Sequence, residues 1–142
     1  MLWYYNAFAN RNVLAHHKTK TLDLVVDLDG TVAKDAYPDI GKPEKGVKEA
    51  FEQLREAGFR IVIFTCRLNR TDGRTQKEID DHLERMKKWF KKHEIPYDKI
   101  DMGDKGKPFG VAYIDNKGFH YGGKDDWESI TKRLLAEKDS LS

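Results

Sequence analysis

The sequence predicts an α/β domain with a doubly wound, Rossmann-like parallel sheet flanked by helices. Three short apolar runs are typical of buried strands, and polar residues follow each of them. Segments whose apolar residues recur at helical spacing alternate with these runs. Such alternation indicates parallel strands joined by helical crossovers. The three runs span residues 22–28, 60–65 and 111–115.

The composition predicts one globular domain of a cytoplasmic protein. The 142 residues, 35% charged and 39% apolar, can form one core under a well solvated surface. The formal net charge of +2 is too small to indicate nucleic acid by itself. A single cysteine, Cys66, excludes an internal disulfide, and we expect it to be a small core residue. No apolar run approaches the roughly 20 residues of a membrane helix, and the N-terminus lacks a secretory signal pattern.

We divide the chain into an N-terminal extension of unclear role, residues 1–20, and one domain, residues 21–142. The extension carries an aromatic cluster, which consists of Trp3, Tyr4, Tyr5 and Phe8. Packing against the domain, self-association and a simple appendage all remain open for this cluster.

The segments between the strands follow recognisable patterns. Residues 31–43 are rich in turn formers and predict a loop or small flap. A helix follows it, and Gly58 is placed to end that helix. Thr75 begins a capping box, and the apolar spacing beyond it predicts a long amphipathic helix over residues 75–93.

The C-terminal third adds smaller elements. Residues 97–102 are compatible with a short edge strand, and Phe119 with another small strand. A final helix begins near Trp127, and its spacing predicts an inner face of Trp127, Ile130 and Leu134.

Two carboxylates at the end of the first strand need a chemical explanation. Asp27 and Asp29 are two residues apart, so they point the same way from an extended chain. Two adjacent anions repel each other unless a cation lies beside them, and Mg²⁺ is the natural candidate. The alternative is structural, because Asp29-Gly30 is also a common hairpin turn.

The order of the strands favours a site over a turn. Asp27, Asp29, Thr65 and Asp115 all follow strand-like runs, and ligands of parallel sheets bind at the carboxyl ends of the strands. Each residue alone is ambiguous, since Thr65 could be an ordinary strand residue and Asp115 an ordinary turn residue. Only their convergence predicts a site.

This arrangement resembles the haloacid dehalogenase-like (HAD) superfamily over roughly residues 22–135. Residues 24–32, Leu-Val-Val-Asp-Leu-Asp-Gly-Thr-Val, are similar to its first motif almost letter for letter. Residues 61–65 resemble the second motif, Lys107 the third, with Lys105 as the alternative, and residues 113–115 the fourth.

The resemblance implies a phosphatase with an aspartyl-phosphate intermediate. Asp27 would be the nucleophile and Asp29 the general acid and base. Mg²⁺ would bind to Asp27, to Asp115 and to the backbone carbonyl of Asp29. Thr65 and Lys107 would hold the phosphoryl group.

The resemblance also implies how the substrate is approached. Gly30 and Thr31 complete the first motif and would lie against the substrate. Apart from the resemblance, Arg67, Arg70 and Arg74 lie just after Thr65, so their loop position predicts that they overhang the site and favour an anionic substrate. Asn116 stands where the superfamily often has a second acid, which would weaken one metal contact.

The substrate itself is left open by the sequence. Only 33 residues lie between Thr31 and Thr65, which leaves little room for an inserted cap domain. The phosphorylated substrate is then a macromolecule or a small molecule enclosed by a homo-oligomeric neighbour.

A second function of another class is a phosphate-sensing or nucleic-acid-binding module without turnover. The basic face of the long helix and the missing second acid motivate this alternative, although such a face is more often simply solvated.

Overall fold

The structure is a computed structural model, and it describes residues 22–141. The strands of this part are β1 (Leu22–Val26), β2 (Ala33–Ala36), β3 (Asp39–Pro43), β4 (Phe59–Ile63), β5 (Lys99–Ile100) and β6 (Ala112–Ile114). The helices are α1 (Val47–Glu56), α2 (Gln76–Lys92) and α3 (Trp127–Leu141). The predicted N-terminal extension lies outside the described residues.

A four-stranded parallel sheet in the order β5, β4, β1, β6 organises the fold. Strand β1 pairs with β4 on one side and with β6 on the other, so that Leu24 lies between Ile61 and Ala112. Leu24, Val25 and Val26 are all buried, as expected for a central strand. The predicted α/β class with a Rossmann-like parallel sheet is confirmed, and the predicted edge strand over residues 97–102 is β5. Because the chain extends the sheet in opposite directions from β1, the carboxyl end of β1 is a switch point where ligands commonly bind.

The segment predicted to be a loop or flap forms a separate two-stranded antiparallel hairpin of β2 and β3. Tyr37 and Pro38 lie at its tip, between the two strands. Asp29-Gly30 is not a hairpin turn between β1 and β2, because β2 pairs with β3 in another sheet. The structural alternative for this dipeptide is therefore wrong.

Helices α1 and α2 close the core through their apolar faces. Gly58 follows α1 with φ of 101°, a conformation that glycine adopts without strain. The predicted capping box of α2 is confirmed, with the side chain of Thr75 accepting from the Glu78 amide and the Glu78 carboxylate accepting from the Thr75 amide. Buried side chains of α2 then pack into the core, namely Ile79, Met86, Trp89 and Phe90.

The C-terminal helix differs from the prediction. Only Ile130 of α3 is buried, whereas the side chains of Trp127 and Leu134 are 68% and 41% exposed. Phe119 also lies outside any strand of the described chain, and its ring contacts the Arg133 guanidinium at 5.0 Å instead. The expected inner face of α3 is confirmed for Ile130 and wrong for Trp127 and Leu134, and the small strand expected at Phe119 is wrong.

None of the helices formed by residues 22–141 combines the length and the apolar character that crossing a bilayer requires.

Candidate active site

Three of the predicted site residues follow neighbouring strands of the parallel sheet. Asp27 comes directly after β1, Thr65 shortly after β4, and Asp115 directly after β6. The ladder continues to the strand ends, where the Asp27 amide donates to the Ile114 carbonyl at 2.9 Å. Strand pairing therefore brings Asp27 and Asp115 together at one edge of the sheet, whereas Thr65 follows β4 at the same edge but is buried and does not line the cleft that opens there.

A cleft of about 490 Å³ opens at this edge. The residues that line it include Asp27, Cys66, Lys107, Tyr113, Asp115 and Lys117. Lys107 lines the same cleft as Asp27 and Asp115, and its ammonium group lies 4.0 Å from the centroid of the Tyr113 ring. Lys105, the alternative for the third motif, does not line the cleft.

Asp27 lies in an electrostatically unfavourable position for an anion. Burial raises the pKa of its carboxyl group, and the negative charges of Asp29 and Asp115 raise that pKa further. A hydrogen bond with the backbone of Leu28 and the positive charge of Lys117 act in the opposite direction. The net shift of the pKa is upward, so a cation bound here would relieve the repulsion.

The turn after β1 determines how the first motif is arranged. The Leu28 carbonyl accepts from the amides of Thr31, Val32 and Ala33, at 3.2, 3.0 and 3.0 Å. Gly30 has φ of 84°, and a Cβ there would collide with the amide group of Asn116. The motif therefore needs glycine for two reasons, the backbone conformation and the close neighbour.

Two oxygen atoms of the turn lack hydrogen-bond partners: the Asp29 carbonyl has no backbone partner, and the Thr31 hydroxyl has no partner of any kind among the described residues. The backbone hydrogen bonds of residues 22–141 do not use the Asp29 carbonyl. The hydroxyl oxygen of Thr31 is buried and has no hydrogen-bond partner among these residues. Both groups remain for a partner that the described chain does not supply.

Arg67 does not overhang the site as predicted. Its side chain is completely buried, and its guanidinium group forms a two-point ion pair with the Asp29 carboxylate at 2.7 and 2.8 Å. The prediction failed because position in a loop does not reveal where a long side chain points. The Thr65 hydroxyl oxygen accepts from the Arg67 amide at 3.2 Å, so its hydrogen is still free to be donated elsewhere.

The other two arginines of this segment lie outside the cleft. Arg70 is exposed in a short 3₁₀ turn, and it does not line the cleft. Arg74 pairs with Asp72 at 2.8 Å. The arginine-rich segment thus splits into one buried and two outer side chains.

The end of β6 forms a tight turn around Asp115. One carboxylate oxygen of Asp115, Oδ1, accepts from the amides of Lys117 and Gly118 at 2.7 and 2.6 Å. Both bonds use the same oxygen, which leaves Oδ2 for another partner. Asn116, in the position of the expected second acid, packs against Gly30.

Sequence reasoning missed two residues of the cleft. Lys117 acts on Asp27 electrostatically, although the run Asp-Asn-Lys-Gly was interpreted only as a turn. Cys66 is an exposed free thiol that lines the cleft, and the prediction of a small core residue is wrong. The signal for both was their position directly beyond strand ends, one residue after Thr65 and two after Asp115.

Within the described residues, no group of three or more His, Cys, Asp or Glu side chains could hold a metal ion. The expected Mg²⁺ ligands include only two side chains, those of Asp27 and Asp115, with the Asp29 carbonyl as the third protein ligand. All three donors are oxygen atoms, the ligands that Mg²⁺ prefers. The shared cleft, the raised pKa of Asp27 and the carbonyl without a backbone partner therefore fit the ion.

A second cleft, of about 650 Å³, lies away from this edge and is lined by Arg55, Arg60 and Asp98 among others. Its carboxylate is already used, because Asp98 accepts from Arg55 at 2.9 Å and from the Ile61 amide at 2.8 Å. The first cleft is the better candidate because its carboxylates lie at the switch point of the sheet.

One solved structure supports the fold, and a second is similar to the chain. A crystal structure of a target protein from Vibrio cholerae is similar at 28% sequence identity with a TM-score of 0.50, covering 82% of this chain and 99% of that one. A structure of a conserved protein from Bacteroides thetaiotaomicron is similar at 20% identity with a TM-score of 0.48, covering 84% and 93%. No family model and no curated protein matches the chain.

Proposed function

We propose that the protein is a magnesium-dependent phosphomonoester hydrolase of the HAD superfamily, a single doubly wound domain without a cap. One observation carries the proposal. Asp27 lies in the same cleft as Asp115, Lys107 and Lys117, with Asp29 close enough to raise its pKa. A partly buried carboxylate surrounded by cations and a second carboxylate is equipped to attack an anionic phosphate.

Two carboxylates divide the chemistry between them. An oxygen of Asp27 forms a bond to phosphorus while the bond from phosphorus to the leaving oxygen breaks. Asp29, an ion-paired carboxylate before the reaction, takes the proton of the phosphate monoanion and passes it to the leaving oxygen. Water then attacks the aspartyl-phosphate, its proton passes to Asp29, and the bond between Asp27 and phosphorus breaks. Inorganic phosphate and free Asp27 are regenerated.

The positive groups offset the repulsion between the nucleophile and the phosphate. Lys107 and Lys117 line the same cleft as Asp27, and both can stabilise the phosphoryl oxygens as charge develops. The hydroxyl group of Thr65 keeps its hydrogen, and we assign this donor to the same oxygens from its position at the end of β4, although Thr65 does not line the cleft. Asp27, Asp115 and the Asp29 carbonyl would hold Mg²⁺, which supplies further positive charge at the phosphate when bound.

The substrate class follows only in outline. A cleft of about 490 Å³ accepts a phosphoryl group and part of its leaving group. Without a cap, the remainder of the substrate is either a macromolecule at the surface or a small molecule covered by a second copy of the chain. We place this activity in the cytoplasm.

A non-catalytic phosphate-sensing or nucleic-acid-binding module is the second candidate. The second half of α2 favours it, because Arg85, Lys88 and Lys92 line a cleft of about 360 Å³ beside hairpin residues Asp39 and Ile40. Such a surface attracts phosphate groups without any chemistry. Turnover distinguishes the two candidates.

The test is release of inorganic phosphate from a broad panel of phosphomonoesters, with Mg²⁺ or with a chelator. We expect turnover that requires Mg²⁺, and Asp27→Asn should lower kcat by at least about 10³-fold, since loss of a nucleophile removes the covalent route. Asp104→Asn is the matched control, because it makes the same change in an exposed loop outside the cleft. Full activity of Asp27→Asn, or no turnover by the folded wild type on any ester, would contradict the proposal.

A further inference from the structure

Arg67 is a charged side chain in an unusual environment. It is 0% exposed and is among the largest fully buried side chains of the described residues. Burying a charge costs several kcal/mol unless a counter-ion and hydrogen bonds replace the lost water. The partners of Arg67 show how this cost is offset.

One side of the guanidinium group faces the predicted acid and base. Nε donates to Oδ2 of Asp29 at 2.7 Å, and Nη2 donates to Oδ1 at 2.8 Å. This two-point contact fixes the plane of the carboxylate as well as its position. The Asp29 side chain is itself 16% exposed, so its outer edge still faces solvent.

The other side of the guanidinium group holds the hairpin of β2 and β3. Nη1 donates to the Pro38 carbonyl and Nη2 to the Asp39 carbonyl, both at 2.7 Å. The Tyr37 ring covers the group, with its centroid 4.9 Å from the central carbon. Arg67 therefore joins the tip of the hairpin to Asp29 through one rigid, planar group.

We propose that Arg67 is a positioning residue that orients Asp29 for proton transfer and couples this orientation to the hairpin. The inference rests on the proposed phosphatase function. Proton transfer to a leaving oxygen requires a precise carboxylate geometry, and a misplacement of about 1 Å can cost about 10²-fold in rate. Lysine cannot reproduce the arrangement, because its ammonium group has no planar fork.

The alternative is that Arg67 only supports the fold, and the leaving group distinguishes the two roles. A p-nitrophenolate ion is weakly basic and departs without a proton, whereas the alkoxide of an alkyl phosphate needs one. A misplaced Asp29 therefore affects the alkyl ester most. A loss of structure affects both esters equally.

The experiment measures kcat/KM of wild type and Arg67→Lys on p-nitrophenyl phosphate and on propyl phosphate with Mg²⁺. This constant reports the steps up to the first irreversible one, in which the leaving group departs. We expect the loss on propyl phosphate to exceed the loss on p-nitrophenyl phosphate by at least about ten-fold. Asp29→Asn should show the same selective loss. Equal losses for Arg67→Lys would overturn the inference.

Arg55→Lys is the matched control. Arg55 makes the same kind of fork, with Nε and Nη2 on the carboxylate of Asp98, but it does so beside the second cleft. We expect no change in the ratio of the two esters for this variant. A changed ratio would mean that any lost arginine fork has this effect, and would overturn the assignment to Arg67.

If thermal melting shows that Arg67→Lys does not fold, Tyr37→Leu decides. Tyr37 is 53% exposed, so its loss is tolerable, and it removes the ring that covers the guanidinium group. We expect the ester ratio to shift in the same direction by about two- to five-fold, and an unchanged ratio would overturn the inference. If Asp27→Asn is inactive and Asp29→Asn is selective while these variants are not, only this inference fails. If wild type hydrolyses no phosphomonoester of the panel, the proposed function fails, and this inference fails with it.

Discussion

Asp27 and Asp115 leave the sheet side by side, because the residues before them, Val26 and Ile114, are paired in neighbouring parallel strands. Backbone pairing thus forces two carboxylates into one cleft, where the charge of Asp115 helps to raise the pKa of Asp27. Like charges held together by a ladder of hydrogen bonds store repulsion that a bound cation can relieve.

Substitution of Gly30 should lower the free energy of unfolding more than substitution of other glycines with positive φ. Gly30→Ala places a Cβ against Asn116, and its φ of 84° also strains the new residue. We expect the free energy of unfolding to fall by roughly 1–2 kcal/mol for the backbone alone, plus the cost of displacing Asn116. Urea denaturation measures the change.

Gly46→Ala is the control, since Gly46 has φ of 83° but open space around its missing Cβ. It should lose only the backbone contribution. Adding Asn116→Gly to Gly30→Ala removes the clashing amide. The double variant should therefore regain the free energy of unfolding by which Gly30→Ala falls below Gly46→Ala. Equal losses for Gly30→Ala and Gly46→Ala would show that Asn116 does not matter.

Lys107 and Lys105 should differ in catalysis. Lys107 lines the cleft and Lys105 does not, so only the first can stabilise the phosphoryl group. We expect Lys107→Met to lower kcat by about 10²–10³-fold, the usual cost of removing one group that stabilises the transition state. Lys105→Met should stay near wild type. Steady-state kinetics on the best ester would reveal the reverse order if the third motif is at Lys105.

Lys117 should keep the pKa of the nucleophile Asp27 lower than it would otherwise be. Its positive charge lowers the pKa of Asp27, so Lys117→Met should raise that pKa further. Because Asp27 must be ionised to attack, the acidic limb of the kcat/KM profile should move to higher pH. The profile is measured at saturating Mg²⁺, with Lys124→Met as a control outside the cleft. If the acidic limb of the kcat/KM profile stays at the same pH, Lys117 does not act on the ionisation of Asp27.

Asp98 should contribute stability that depends on pH. Burial raises the pKa of its carboxyl group, but hydrogen bonds from Arg55 and the Ile61 amide outweigh burial and lower it. A carboxyl with a lowered pKa in the folded state stabilises the protein near neutral pH, and this contribution disappears as acid protonates it.

Asp98→Asn should therefore cost about 1–2 kcal/mol at pH of about 7 and much less at pH of about 3. Denaturant unfolding at both pH values measures the difference. Asp104→Asn, in an exposed loop, should leave the pH dependence of wild type unchanged. A variant at Asp98 whose cost is the same at both pH values would contradict the assignment.

The local sequence determined most of the framework. Apolar runs and helical spacing predicted the parallel sheet, both helices α1 and α2, and the capping box at Thr75. They also predicted that Asp27, Asp29, Thr65 and Asp115 would converge at one sheet edge, because parallel strands carry their carboxyl ends to the same side, and Asp27 and Asp115 do share a cleft there. These features depend on periodicity and on residues near in sequence, which a single chain displays directly.

Tertiary structure decided what each side chain does. Arg67 was expected to meet an anion in solution, but it is buried between Asp29 and the hairpin, because partners 28 to 38 residues away satisfy its charge. Trp127 has helical spacing yet stays exposed, since spacing aligns a face without supplying a surface for it to pack on. The preference for Lys107 over Lys105 likewise gained support only from the packing of its loop. The sequence by itself determined where strands and helices form, while contacts between distant segments decided the direction, burial and pairing of the charged groups.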